Sequence, residues 1–164
     1  VYGLANKIGM SLIPYSTLAP RKRERLLGVQ GTERGLTISE VSNGNVAYCT
    51  YYNDDYSEAA RRYTIAHEIK HIVSGDIEKS EDSFTDKDEC LANYFAKCLL
   101  APQSIIITRG YRTKEEYVEH FGISYDAAEI WHQTTEKRKY CYGAHYLFDY
   151  EKPFIKEIQV RSNG

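Results

Sequence analysis

The stretch Tyr63-Thr64-Ile65-Ala66-His67-Glu68-Ile69-Lys70-His71-Ile72-Val73 decides how this chain is read. It holds the pattern His-Glu-x-x-His. Ser57 upstream can cap a helix and Gly75 downstream can end one, so a helix is predicted over residues 57–74. On that helix His67 and His71 share a face, about 40° apart in azimuth and about 6 Å apart in rise. Both imidazoles can then reach one zinc ion at about 2.0–2.1 Å. Glu68 sits about 100° round from His67, where its carboxylate can reach a zinc-bound water without binding the ion.

The motif alone is moderately specific. With five His and fifteen Glu in 164 residues, chance supplies it on the order of 1% of the time. The rest of the helix adds weight. Ile65, Ile69 and Ile72 form an apolar stripe opposite the His pair, while Ala60 and Tyr63 lie near the His side. A helix exposed on that side would carry charges there. The pattern predicts a helix covered on both faces or lining a cleft.

A hydrolytic zinc needs three protein ligands and an open position. Glu89-Cys90-Leu91-Ala92-Asn93-Tyr94-Phe95-Ala96 offers the third. Thr85 and Asp88 have the spacing of a capping box, opening a second helix that Pro102 stops. Glu89, Ala92, Asn93 and Ala96 fall at i, i+3, i+4 and i+7, hence on one face. The two alanines let another helix approach closely and bring Glu89 to the metal. Asn93, one turn on, is placed to hydrogen-bond a ligand imidazole and fix its tautomer.

Composition bounds the remainder. The chain has 164 residues, enough for one domain with at most a small appendage. The 42% hydrophobic and 27% charged fractions exclude bulk disorder. A net charge of −2 argues against a strongly basic nucleic-acid module. No apolar run approaches the roughly 18 residues of a membrane span, the longest being stretches such as Cys98-Leu99-Leu100-Ala101, so no membrane partner is expected. The first twenty residues carry Asn6, Lys7, Ser11 and Pro14 and do not read as a signal peptide. The chain begins at Val1 rather than Met, so it reads as a fragment or a processed product. Cys49, Cys90, Cys98 and Cys141 lack CxxC spacing and read as buried, reduced thiols of a cytoplasmic protein.

Upstream of the motif helix, residues 5–8 read as the end of a short helix. Residues 11–16 read as a strand that Pro14 places at an edge. Residues 20–27 read as a helix opened by Pro20 and closed by Gly28; its Arg21-Lys22-Arg23-Glu24-Arg25 run is a solvated face. Residues 36–41 and 46–52 are β-rich, and Asn43-Gly44 between them signals a hairpin. Residues 76–86 read as an exposed acidic loop. Thr113 and Glu116 form a second capping box, for a helix to 121, and Ser124 caps one over 125–137. Two tail pieces, 140–148 and 154–160, lean to β on either side of Pro153. The division expected is a core over 1–110, a helical extension over 111–139 and an unassigned tail over 140–164.

Residues 61–71, with Glu89-x-x-Ala92-Asn93-x-Phe95-Ala96-x-x-Leu99-Leu100-x-Pro102, closely resemble the ImmA/IrrE family of zinc metallopeptidases. The strand over 46–52 and Phe121-Gly122-Ile123-Ser124 are similar to that family too. The likeness covers roughly residues 1–137 and is densest over 61–102. It implies an α+β, zincin-like core: a small mixed sheet, the motif helix packed on the Glu-bearing helix, and a small helical C-terminal region. It implies one zinc ion on His67, His71 and Glu89, with Glu68 as catalytic acid/base. It further implies a protein substrate, a helix-turn-helix transcriptional repressor of a mobile element or stress regulon. The chain departs from the pattern at two places. Lys70 stands where Gly is usual, projecting about 60° from His67 and setting a cation beside the site. Asp76 stands where a third His is frequent, which removes no ligand in this assignment.

Two features of the chemistry stay open. Tyr63, Tyr111, His120, His132 and His145 are all candidate donors to a tetrahedral oxygen. An extended peptide is expected to add to a sheet edge, with residues 46–52 as the candidate strand. Two other functions compete. Residues 116–131 have a helix-turn-helix cadence, yet the presumed recognition helix starts with Tyr125, Asp126 and Glu129, and acids repel phosphate. Basic residues gather only at Lys137-Arg138-Lys139, which argues against DNA contact. A catalytically silent, zinc-stabilised interaction module is kept open by Lys70.

Overall fold

The computed structural model describes residues 1–28, 33–42, 45–80 and 83–162. They divide into two units, Val1–Leu100 and Ala101–Gly164.

In the first unit the chain forms α1 (Tyr2–Lys7), β1 (Met10–Pro14), α2 (Pro20–Leu27), β2 (Gly35–Ser42), β3 (Asn45–Tyr52), α3 (Glu58–Val73) and α4 (Asp86–Leu100). Short 3-10 turns occupy Tyr15–Thr17 and Asp76–Glu78. β2 and β3 pair antiparallel, from Leu36 opposite Tyr51 to Val41 opposite Val46. The expected Asn43-Gly44 turn lies outside the described residues. β1 pairs parallel to β3, giving the sheet order β1-β3-β2. Pro14 sits on an outer strand, where its missing N–H costs no ladder bond.

This order overturns one expectation. β3, the strand over 46–52 expected to receive a peptide, is central and bonded on both sides. Local pattern could not show this, because the strand that covers it, β1, lies before α2 in the chain. Both outer strands pack against α3, β1 through Met10 and β2 through Gly35, which lies against Thr64.

The helices pack as their periodicity requires. Ile65, Ile69 and Ile72 of α3 join Ala5 and Met10 in one buried cluster. On α4, Ala92 and Ala96 are fully buried, and their small side chains let the helix lie close against its neighbour. Cys90 lies about 160° round α4 from Ala92. It is exposed, as is Cys141, while Cys49 and Cys98 are half-buried; the buried placement expected for all four is not found. By length and composition alone, the stretch Asp86–Arg109 can cross a membrane. The stretch forms two helices, parted at Ala101-Pro102.

Gly35, at the start of β2, marks a close approach of strand to helix. A Cβ there would stand 2.7 Å from the Tyr51 carbonyl oxygen and 2.8 Å from Thr64 Cγ2. Gly35→Ala is expected to lower stability by about 1–3 kcal/mol through overpacking. A shift of the urea midpoint with unchanged m-value checks it; an unshifted midpoint would show that the strand moves aside freely.

The second unit is helical: α5 (Gln103–Arg109), α6 (Lys114–Phe121), α7 (Tyr125–Tyr142) and α8 (Lys152–Ser162). Thr113 and Glu116 close the expected reciprocal capping box on α6. Trp131 donates through Nε1 to the Ala101 carbonyl at 2.6 Å. The tail corrects the sequence reading, since residues 140–142 complete α7 and 152–162 form a helix rather than strands. Gly143, at φ +103°, ends α7. Pro153 occupies the first turn of α8, where an absent N–H costs nothing. Arg138 of α7, buried, pairs with Glu151 at 2.5 Å and donates to the Tyr146 carbonyl at 3.1 Å, holding together the turn between the two helices. α5 was not foreseen: Pro102 stops α4 but also serves as the N-cap of a new helix.

Candidate metal centre

α3 begins where expected: the Ser57 hydroxyl accepts from the Ala60 N–H at 3.3 Å. It ends before Gly75, which adopts φ +69°. Between these limits the helix sets His67, Glu68 and His71 at fixed azimuths, and α4 sets Glu89 and Asn93 opposite. The structure brings three of these together. One ligand atom from each of His67, His71 and Glu89 lies within 4.8 Å of the others. His67 Nε2 is 3.0 Å from His71 Nε2. Glu89 reaches His67 Nε2 at 3.3 Å through Oε2 and His71 Nε2 at 3.5 Å through Oε1.

The partners on the far side of each ring decide what those nitrogens present. His67 Nδ1 lies 3.2 Å from Asn93 Oδ1, which also accepts from the Tyr63 hydroxyl at 2.7 Å. His71 Nδ1 lies 3.0 Å from Asp76 Oδ2. Both partners are oxygen acceptors, so both Nδ1 atoms carry the proton in the neutral rings. Both Nε2 atoms therefore turn bare lone pairs towards each other and towards a carboxylate. Burial, and next the neighbouring His71, lower the pKa of His67 and favour its neutral form. Three converging electron pairs with no proton between them suit a cation. A tetrahedral zinc with bonds of about 2.0–2.1 Å spaces its ligand atoms by about 3.3 Å. The donor set fits such an ion in both chemistry and spacing.

Glu68 stands apart from this triangle. It is 8% exposed, and burial raises its carboxyl pKa; hydrogen bonding with Thr37 of β2 partly offsets the rise. A cavity of about 290 Å³ is lined by Glu68, His67, Glu89 and Asn93, with Tyr63, Arg34 and Gly35 among its other walls. A buried acid of raised proton affinity thus shares a cavity with two of the three candidate ligands, His67 and Glu89. Of the five candidate oxygen donors, Tyr63 lines this cavity. Tyr111 stacks on His120 at 4.3 Å between ring centroids, and His132 Nε2 lies 2.8 Å from the Arg112 carbonyl, both within Ala101–Gly164. His145 lines a separate cavity in that unit.

Two residues around the site correct the sequence reading. Lys70 does not set its cation in the cavity. Its ammonium is buried and donates to Asp76 Oδ2 at 2.5 Å and to the Asp88 carbonyl at 3.3 Å. Asp76, expected in an exposed loop, is 4% exposed and lies at the start of the 3-10 turn. Burial pushes its carboxyl up, but hydrogen bonds from Lys70, Lys79 and His71 outweigh this and hold it well below the usual carboxylate range. The sequence reading placed Asp76 in an exposed loop and gave it no role at the site. Its spacing, five residues after His71 and just past the Gly75 stop, was the signal that it returns under the helix end.

A small mixed sheet, two packed helices, a pair of imidazoles with a converging carboxylate, and a buried acid beside them define a metallopeptidase-like α+β domain. The family comparison is more particular: the IrrE N-terminal-like domain family, Peptidase_M78, matches residues 23–130. The chain belongs to this family, in accord with the ImmA/IrrE resemblance of its motifs. No curated protein and no solved structure matches the chain.

Proposed function

We propose that this chain is a zinc-dependent metallopeptidase of the cytoplasm. Its target is a specific protein, a helix-turn-helix transcriptional repressor of a mobile element or stress regulon. The observation that carries the reading is the convergence of His67, His71 and Glu89 beside the cavity that Glu68 lines together with His67 and Glu89. Those three residues would hold the ion. When bound, the ion supplies Lewis acidity, which acidifies water and polarises a carbonyl. Glu68 takes the proton of the attacking water and delivers it to the leaving amine. Burial raises its proton affinity, the direction that suits a general base. Asn93 and Asp76 hold the imidazoles in register. Tyr63 lines the same cavity and is the candidate to donate to the tetrahedral oxygen, which requires its hydroxyl to turn away from Asn93.

The substrate is expected to lie extended along β2, the outer strand whose Gly35 borders the cavity. Lys70 gives no support to a silent module, because its charge is spent on Asp76. A DNA-binding reading also loses ground, because Arg138, one of its few cations, is buried against Glu151. The test is to incubate the zinc-loaded chain with the repressor encoded beside it and read intact masses. Two complementary fragments are expected, and none once a chelator removes the zinc. Equal cleavage before and after chelation overturns the proposal.

A further inference from the structure

Lys70 and Asp76, six residues apart in the chain, touch each other. Lys70 Nζ and His71 Nδ1 converge on the same oxygen, Asp76 Oδ2, at 2.5 Å and 3.0 Å. The other oxygen, Oδ1, receives Lys79 Nζ at 2.6 Å. Lys79 continues to Asp88 Oδ1 at 2.9 Å, and Lys70 donates to the Asp88 backbone carbonyl at 3.3 Å. Asp88 is the residue before Glu89. One buried ion cluster therefore grips the back of the His71 ring and the backbone next to Glu89.

The chemistry makes each member dependent on the other. Lys70 and Asp76 are 7% and 4% exposed. A buried charge left without its partner costs several kcal/mol, whereas a hydrogen-bonded pair is tolerated. Lys70 without Asp76 would carry an uncompensated ammonium one residue from His71. Asp76 without Lys70 would lose its deepest counter-charge and leave Lys79, at the rim, to hold it. A carboxylate on the far nitrogen of a ligand imidazole fixes the tautomer and raises the basicity of the metal-facing nitrogen. The ammonium sets how much negative charge reaches that ring.

We infer that Lys70 and Asp76 act as one positioning unit for the metal centre: Asp76 orients His71, while Lys70 balances Asp76 and pins the backbone that carries Glu89. Lys70 is thus an outer support of the site and not a residue of the substrate cleft. The inference rests on the metal-site reading of His67, His71 and Glu89.

The test uses cobalt(II) as the probe, with its dissociation constant measured by chelator competition. Wild type, Lys70→Met, Asp76→Asn and the double variant are compared. Asp76→Asn keeps the shape and removes the charge; it is expected to weaken cobalt binding by about 10–100-fold. Lys70→Met is expected to weaken it as well. The double variant is expected to lose at least tenfold less than the product of the two single losses, since one interaction is removed twice. A residue that only supports the fold would move the unfolding midpoint and leave the affinity of the folded protein unchanged. Asp76→Asn binding cobalt as wild type does, or losses that simply multiply, would overturn the inference. A second measurement needs no variant. Long-range proton–nitrogen spectra of the metal-free chain are expected to show His71 protonated on Nδ1, and protonation on Nε2 would also overturn it. Failure of the underlying reading looks different: wild type itself then gives a flat cobalt titration.

Discussion

Glu68→Gln is expected to keep its zinc and lose cleavage by about 10²–10⁴-fold, the usual worth of a general base. The amide has the shape of the carboxylate but cannot take a proton. Glu68 lies outside the three-atom cluster of His67, His71 and Glu89, so metal affinity is expected to stay within about twofold. Nor should folding suffer. The side chain is buried with its pKa raised, first by desolvation, so a neutral isostere relieves a cost. Metal content and single-turnover cleavage, measured on one preparation, separate the two effects. Full zinc with undiminished cleavage removes Glu68 from the mechanism.

Glu89→Ala is expected to act in the opposite manner: zinc goes, and cleavage goes with it. Glu89 supplies the sole negative charge among the three candidate ligands. Losing a direct ligand should cost more than the roughly 10–100-fold that an outer-shell partner costs. An affinity loss above about 100-fold is therefore expected, read by chelator competition. The metal-free protein should barely notice, because the side chain is 46% exposed. Its unfolding free energy is expected to change by no more than about 0.5 kcal/mol. Wild-type affinity in this variant would show that the ion, if any, is held elsewhere.

The candidate site was legible because its residues stand at helical spacing. His67 and His71, four apart, and Glu89 and Asn93, four apart, each need only one turn of regular backbone to face the same way. Ser57, Gly75, Thr113 and Gly122 mark helix ends through bonds or dihedrals confined to a few residues. Asp76 was misread for the complementary reason. A Lys six residues before an Asp looks like two solvated charges; it becomes a buried pair only when the chain folds back past Gly75. The tail was misread because β-leaning side chains weigh little against a buried Arg138–Glu151 pair and a Pro153 that suits a first helical turn.

Short-range chemistry, then, was enough to place the motif helix, the Glu-bearing helix, the hairpin strands and the faces their side chains share, since each depends on neighbours within one or two turns. Packing across the chain settled the rest: β1 beside β3, β2 left as the outer strand, and Asp76 drawn beneath His71 with Lys70 as its counter-charge. Those outcomes depend on which distant surfaces exclude water together, and a local pattern carries no record of that.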